Sequence, residues 1–435
     1  MPATKAILIV IDGLTPAMFE DAVERGSAPA LAALAERGEY RRAVTVFPSL
    51  TPVCLSSLAT GAYPDVHHIP HLVWYHRGER RLVEYGSSFA ALRRAGARRG
   101  IVDAIFRMNE EHLSRDAETI YESLEDAGRV AAAVNIICYR GRTPHVARIP
   151  GLTRAAHGPR RFFYFNLFES DETGAPFRVG ARHLGANDRY AAAVGRWLVT
   201  RDGFDVLVYY LPDYDFASHA LGPDAAHAAL ARSDAAVSAL IDAAGGIDAL
   251  LERYAVVLCA DHGQTHVERS ASLLERFAGV DDLVVTASNR AGMVYDLRGR
   301  RARELAERLD GDPATGVACF LEDGELVARS ADGEGLDVLA EHPDGVVRAL
   351  AALRNPNAGD VLVSAAPGFE FADLAGRHHV GGGSHGSLTA GDSEVPMLAV
   401  GLGPPPARIT DVAPLLLDHV GVERPAYARS LSHVG

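Results

Sequence analysis

The chain has no long apolar run. Its longest uninterrupted apolar stretches, such as 7–11 and 255–260, fall well short of the ~20 residues needed to cross a bilayer. A membrane-spanning helix is thereby excluded and no membrane partner is expected. Cysteine is scarce: Cys54, Cys138, Cys259 and Cys319 are widely spaced and include no CxxC pair, so they read as buried thiols in a reducing compartment. Residues 1–5 lead straight into a strand pattern without a signal-peptide apolar region or a small-residue cleavage site, and the expected location is cytoplasmic. Positive charge is in deficit. The 43 Lys and Arg residues face 56 Asp and Glu, a formal net charge of -13, which repels phosphate backbones and anionic lipid surfaces. A nucleic-acid polymer is therefore not an expected partner. Internal repeats are absent, and Gly381-Gly382-Gly383 is too short for a linker.

What remains is ordinary globular usage, with 48% hydrophobic and 23% charged residues, in a chain long enough for a large core. Short runs rich in Val, Ile and Leu at 5–12, 43–47, 129–139, 204–211 and 254–260 are apolar on both faces, as central parallel strands are. Helical periodicity marks 16–25, 28–37, 119–127, 188–200 and 223–244. The alternation predicts an α/β fold with a mostly parallel central sheet sandwiched by helices. That core is expected over 1–283 and 356–435. Residues 284–355 read as a smaller α+β insertion, with a strand at 291–297, a helix at 301–309 and a hairpin-like stretch at 317–329. Segments near 66–118 and 140–187 are long, irregular and rich in Arg, His, Gly and Pro. Loops of that length usually cover or line a site.

Ligands of open α/β sheets bind outside the carboxyl ends of the strands, and here those ends carry metal-ligand residue types. The first run delivers Asp12-Gly13, the fourth Pro212-Asp213-Tyr214-Asp215, and the fifth Asp261-His262-Gly263. A lone Asp after a strand is most often a cap or turn former; Asp261-His262 is harder to read that way. Asp215 and His219 stand four apart, which on a helical turn puts both on one face able to grip one ion, although a surface pair has the same spacing. His385 is flanked by glycines in Gly382-Gly383-Ser384-His385-Gly386, a pattern that also suits a plain turn. Carboxylates and imidazoles without thiolates suit Zn²⁺, with Mn²⁺ or Fe²⁺ as competitors. Thr51, ahead of Pro52 and a helical stretch, fits an N-cap with Pro52 at the first helical position. The same place is a natural anion site, and a hydroxyl there that binds a metal becomes a nucleophile.

In this order Asp12, Thr51, Asp215/His219, Asp261-His262 and His385 resemble the alkaline phosphatase superfamily, specifically its type I phosphodiesterase / nucleotide pyrophosphatase branch. The resemblance spans nearly the whole chain and rests on Val46-Phe47-Pro48-Ser49-Leu50-Thr51, Leu58-Ala59-Thr60-Gly61-Ala62-Tyr63-Pro64, Asp215-x-x-x-His219-x-x-Gly222-Pro223, Ala260-Asp261-His262-Gly263 and Ser384-His385-Gly386. It implies two divalent metal ions, one held by Asp215, His219 and His385, the other by Asp12, Asp261 and His262 together with Thr51. Thr51 would attack phosphorus, and water would then hydrolyse the phosphothreonine. The implied activity is hydrolysis of small phosphorylated molecules, foremost as a phosphodiesterase. The alternative is a phosphomonoesterase or phosphonate C–P hydrolase on the same site; Thr51 leans against relatives that act on monoesters or as phosphosugar mutases, which usually present Ser. Sulfatases need a C/S-x-P-x-R motif that Thr51-Pro52-Val53-Cys54-Leu55 does not provide. A binding protein that had merely kept the fold would be expected to have lost a ligand, and none is lost. Two positions depart from the branch: Pro52 stands where an aromatic stacks on the nucleobase, and Leu72 stands where an Asn contacts phosphate. His71 or a neighbour is the expected substitute for that Asn. Tyr210 resembles a substrate-slot aromatic, with a core residue as the alternative.

Overall fold

The strand Lys5–Ile11 is buried from Ala6 onward, as a strand covered on both faces must be. It lies near the middle of an eight-stranded sheet ordered Glu39–Val44, Glu394–Val400, Tyr254–Cys259, Lys5–Ile11, Val206–Leu211, Ala131–Val134, Arg161–Tyr164, Phe168–Ser170. The run from Tyr254–Cys259 to Arg161–Tyr164 is parallel throughout. Glu394–Val400 is antiparallel to both its neighbours, and Phe168–Ser170 turns back on Arg161–Tyr164. Leu31, Leu55, Leu58, Leu198, Val237, Leu240 and Leu416 come from helices and share one apolar core with these strands. The fold is thus the helix-covered, mostly parallel α/β sheet that the alternation predicts. The computed structural model of the protein describes residues 3–86, 96–146, 154–164, 167–170, 187–299, 301–374 and 379–429. No helix among them is long and apolar enough to cross a membrane.

Several elements are shorter or shifted relative to the periodicity. The run 129–139 contributes only Ala131–Val134 to the sheet, because Asn135 takes a φ of 61° and turns the chain out of it. The edge strand is Glu39–Val44 rather than 43–47, in register with Glu394–Val400; its exposed polar residues mask the strand signal. The helix expected from 223 starts at His227.

A second, antiparallel sheet runs Leu283–Ser288, Ala291–Asp296, Val361–Ala365, Thr315–Glu322, Glu325–Ser330, Gly333–Glu334. It extends past 355, where the sequence pattern ends the insertion, because Val361–Ala365 pairs with both Ala291–Asp296 and Thr315–Glu322. One apolar cluster joins Val294, Phe320 and Val363 to Leu305 and Leu309. Another joins Met293, Tyr295 and Leu362 to Leu353 and also to Phe47, Tyr75 and Leu388 of the larger unit. This second cluster docks the small sheet beside the carboxyl ends of the large one. Within 66–118 lie the hairpin Val73–His76/Arg81–Glu84 and the helical segments Ala97–Val102 and Asp103–His112; residues 87–95 lie outside the described residues. Of 140–187, the hairpin Thr143–Val146/Ala155–Gly158 is described, while 147–153, 165–166 and 171–186 lie outside the described residues.

Candidate active site

Three parallel strands end side by side, and each passes its chain to a carboxylate. Ile11 leads to Asp12 and Gly13. Gly13 has a φ of 67°, and a Cβ there would sit 2.8 Å from Asp215 Oδ1 and 3.0 Å from Gln264 Nε2, so glycine is required both by the turn and by the close approach. Val206–Leu211 leads into the helix Asp213–Leu221, whose first turn holds Asp215 and whose next holds His219, with His219 Nε2 3.3 Å from Asp215 Oδ2. Tyr254–Cys259 leads to Asp261-His262. His385 arrives from the far end of the sequence, after Gly383–Ser384 pairs with Thr265–Ala271. That path passes Gly382, where a Cβ would lie 2.1 Å from the His219 carbonyl oxygen.

Thr51 is the first residue of the helix Thr51–Thr60, and the N-cap position belongs to Leu50. The capping role expected of Thr51 is therefore not the one it has. Its Oγ1 turns away from the helix to lie 3.1 Å from His262 Nε2.

The donor atoms are arranged in a consistent way. His219 Nδ1 donates to the Gly383 carbonyl at 2.8 Å, His385 Nδ1 to the Ser49 carbonyl at 2.8 Å, and His262 Nδ1 to the Gly263 carbonyl at 3.0 Å. With each Nδ1–H so engaged, it is Nε2 of each ring that faces the interior of the site, the arrangement that orients imidazoles toward a metal. The carboxylates are held by one oxygen each. Tyr210 donates its hydroxyl to Asp12 Oδ2, the main-chain N–H groups of Gly13 and His262 reach Asp261 Oδ1 at 3.1 and 3.0 Å, and Gln264 donates to Asp215 Oδ1. Asp12 Oδ1 and Asp261 Oδ2 are buried with no hydrogen-bond partner. Orphaned buried carboxylate oxygens are costly, and here they face His262 Nε2 at 3.3 and 3.5 Å. Asp12, Asp261 and His262 form one compact group of ligand atoms; Asp215, His262 and His385 form a second that shares His262. The donor set fits divalent cations.

Electrostatics follow from this crowding. Burial pushes the Asp12 carboxyl well above its usual range, and the charges of Asp261 and Asp215 push it further. Burial likewise raises Asp261. Burial opposes a proton on His262, yet Asp261 and Asp12 outweigh it and lift the imidazole to about 10. Asp215 is held low against the effect of burial by His219, His385 and His262. Burial and the neighbouring His262 push His385 well down. A buried cluster with this much mutual repulsion is poised for an external positive charge.

A cavity of about 710 Å³ opens onto the cluster, with Asp12, Thr51, Asp215, His219 and His385 in its lining. Its other described walls are mostly apolar, from Pro52, Leu72, Ile137, Phe216 and Val380. Tyr210 lines the cavity as well, but it is fully buried and its hydroxyl is committed to Asp12. His71 is elsewhere: its Nε2 donates to the Ala291 carbonyl at 3.3 Å and its Nδ1 accepts from Val73 N–H at 3.1 Å. Both ring nitrogens are spent on main chain, so His71 is a structural residue and not the substitute for the missing Asn. Residues that the sequence reading passed over also meet the site. Gln264, three positions after Asp261, was within sight of the motif. Asn289 and the Glu370–His379 pair, linked at 2.8 Å with His379 stacked 4.2 Å from the His219 ring, carry no local signal, since only the docking of the small sheet and its flanks brings them there.

Comparison with solved structures finds phosphonoacetate hydrolase from Sinorhizobium meliloti 1021 in complex with phosphonoformate, at 19% identity, TM-score 0.66, with 97% of this chain and 96% of that chain covered. It also finds murine ectonucleotide pyrophosphatase / phosphodiesterase 5, at 14% identity and TM-score 0.64 over the same shares, and an inactive variant of that protein in complex with AMP. These likenesses establish the fold. Comparison with curated proteins finds no match. The family model for type I phosphodiesterase / nucleotide pyrophosphatase matches residues 6–388, a span that contains every residue of the cluster. The chain therefore belongs to the type I phosphodiesterase / nucleotide pyrophosphatase family, phosphoric ester hydrolases of the alkaline phosphatase superfamily.

Proposed function

We propose that the protein is a two-metal hydrolase of small phosphoric esters, foremost diesters, in which Thr51 is the nucleophile. The observation that carries this reading is the convergence of Thr51 Oγ1, the orphaned Asp12 Oδ1 and Asp261 Oδ2, and His262 Nε2 at the end of one cavity. Asp12, Asp261, His262 and Thr51 would hold one cation; Asp215, His219 and His385 would hold the other. Zn²⁺ suits such nitrogen and oxygen donors best. Bound there, two divalent ions supply activation of a hydroxyl and neutralisation of charge on the phosphoryl and departing oxygens.

The chain's own part is geometric. Thr51 is the first residue of its helix, where the helix dipole favours phosphoryl oxygens; Pro52 has no N–H and the Val53 and Cys54 N–H groups donate to the Leu50 carbonyl, while Thr51 Oγ1 lies toward His262. Attack by Oγ1 on phosphorus, with the hydroxyl proton released to solvent, forms the Thr51 O–P bond and breaks the P–O bond to the alcohol, which leaves with a proton drawn from solvent. Water then attacks the phosphothreonine, restores the Thr51 hydroxyl and releases the remaining phosphoryl product. Tyr210, Gln264 and the Gly13 N–H fix the carboxylates, so little reorganisation accompanies the reaction. The four cysteines are free and buried, which supports a cytoplasmic location. The net charge of -13 supports small esters rather than nucleic acid as substrate.

The test is a rate panel on p-nitrophenyl diester, monoester and phosphonate substrates with Zn²⁺ or Mn²⁺ added to the purified protein. Fastest turnover on the diester is expected. Faster turnover on the phosphonate or monoester transfers the assignment to that chemistry, and no metal-dependent turnover on any member overturns it.

A further inference from the structure

A phosphoryl group brings non-bridging oxygens that need hydrogen-bond donors, and the described wall of the cavity is poor in them. The carboxylates accept, the His219 and His385 Nδ1–H groups are spent on main chain, and the Tyr210 and Tyr85 hydroxyls are engaged with Asp12 and His112. Arg and Lys are absent from the described lining. Leu72, which stands in the lining where the family resemblance places an Asn, offers nothing.

His379 has its Nδ1 paired with Glu370 Oε2, and beside Thr51 the amide donor of the described lining is Asn289. It sits in the turn between Leu283–Ser288 and Ala291–Asp296 of the small sheet, is 7% exposed and lines the cavity. Its backbone is pinned from two sides: Phe371 N–H donates to its carbonyl at 2.6 Å, and the next residue's N–H, from Arg290, donates to the His385 carbonyl at 2.9 Å. A φ of 56° at Asn289 belongs to the left-handed region that Asn tolerates better than most residues. The amide orientation is set by two bonds that agree. Ser288 Oγ donates to Oδ1 at 3.0 Å, and Nδ2 lies 3.2 Å from His385 Nε2, an acceptor because His385 Nδ1 is the protonated nitrogen. The second N–H of Nδ2 has no acceptor among the described residues. Should His385 give its Nε2 to a metal, both N–H groups are released.

We propose that Asn289 is a substrate-binding residue, and that its Nδ2 donates to a non-bridging oxygen of the phosphoryl group attacked by Thr51. The donor that Leu72 cannot supply thus comes from the small sheet, in a different part of the sequence. Asn289 gives the small sheet a role in recognition as well as in packing. The inference rests on the phosphoester reading of the same site.

The experiment compares wild type with Asn289→Ala and Asn289→Asp, all metal-loaded, by equilibrium binding of inorganic phosphate, by kcat/KM on the best substrate of the panel, and by metal content. Asn289→Ala should keep the wild-type metal content and thermal midpoint, weaken phosphate binding about tenfold or more, and lower kcat/KM by about ten- to a hundredfold. Asn289→Asp should be worse than Ala on both counts, because it sets an acceptor and a negative charge against the phosphoryl oxygens. Wild-type phosphate affinity in Asn289→Ala overturns the proposal. So does a loss of metal that accounts for the lost affinity and is cured by added metal, since Asn289 would then act only as a support for His385. Wild-type protein that binds phosphate but hydrolyses nothing defeats the hydrolase reading while the binding comparison still decides Asn289; wild type that does neither defeats both.

Discussion

The imidazoles of His262 and His385 stack face to face, with ring centroids 3.6 Å apart and planes 8° from parallel. One follows a central strand of the large sheet, and the other comes from 123 positions further on, along a chain that has meanwhile built the small sheet. With each Nδ1 tied to a main-chain carbonyl, the stack brings the two groups of ligand atoms together, and in the proposed reaction one phosphoryl group would span both.

Purified protein should hold two transition-metal ions per chain. His219→Ala and His385→Ala remove an imidazole from the same proposed ion, so each should lower the content by about one ion while the fold survives. Elemental analysis after mild dialysis and a circular dichroism spectrum check this. Less than one ion per chain in wild type, with no gain on Zn²⁺ addition, contradicts the assignment.

Thr51→Ala should cost several orders of magnitude in turnover, because no neighbouring hydroxyl is aligned to replace it. Since Leu50 rather than Thr51 occupies the cap position, the thermal midpoint should barely change. Thr51→Ser should keep partial activity, as the hydroxyl remains but the methyl that restricts its rotamer is lost. Turnover of Thr51→Ala within about tenfold of wild type, a barrier difference of ~1.4 kcal/mol, would rule out a nucleophile.

Gly13→Ala should separate stability from function. The left-handed backbone makes any side chain there cost ~1 kcal/mol, a modest loss for a large fold. The new Cβ, however, would lie 2.8 Å from Asp215 Oδ1 and push that carboxylate aside. Metal content and turnover should both fall sharply while the thermal midpoint drops by only a few degrees. Full metal content in this variant would show that Asp215 can yield.

Asp188 sets a pH dependence away from the cluster. Burial and the neighbouring Asp213 raise its carboxyl to about 7, although Ser233 Oγ donates to it at 2.6 Å and Asp213 N–H at 3.2 Å. Between about pH 4 and 7 the folded state keeps a proton that the unfolded state has lost, so stability falls as pH rises through that window. The shift corresponds to a loss on the order of 4 kcal/mol. Asp188→Asn removes the charge, keeps an acceptor oxygen for the Asp213 N–H, and reverses the Ser233 contact so that Nδ2 donates to Ser233 Oγ, whose own proton can turn to the Ala229 carbonyl. It should melt several degrees above wild type at pH 8, with the gap closing toward pH 4. Parallel melting curves across that range would refute the buried-proton account.

Local signals were enough for the central strands Lys5–Ile11, Ala131–Val134, Val206–Leu211 and Tyr254–Cys259, but not for Arg161–Tyr164, Phe168–Ser170 or Glu394–Val400. Runs such as 5–12 and 254–260 are buried on both faces, and such strands must be apolar on both faces, which makes them visible without any partner. The carboxylates that follow them stand where a parallel sheet must end its strands, so Asp12, Asp215 and Asp261 were candidates from position, and it was the family resemblance that separated them from caps and turn formers. The edge strand Glu39–Val44 was legible only in part, because Glu39, Arg41 and Arg42 are exposed and its register is set by Glu394–Val400. Orientation was out of reach for the sequence. Whether Thr51 caps its helix or faces His262, whether His71 meets the cavity or the Ala291 carbonyl, and whether Tyr210 is free or bound to Asp12 are decided by contacts between residues far apart in the chain. Asn289 and His379 belong wholly to the tertiary structure. Their place at the site comes from the packing of Met293, Tyr295 and Leu362 against Phe47, Tyr75 and Leu388, an interface of ordinary apolar side chains whose partners no local pattern can name.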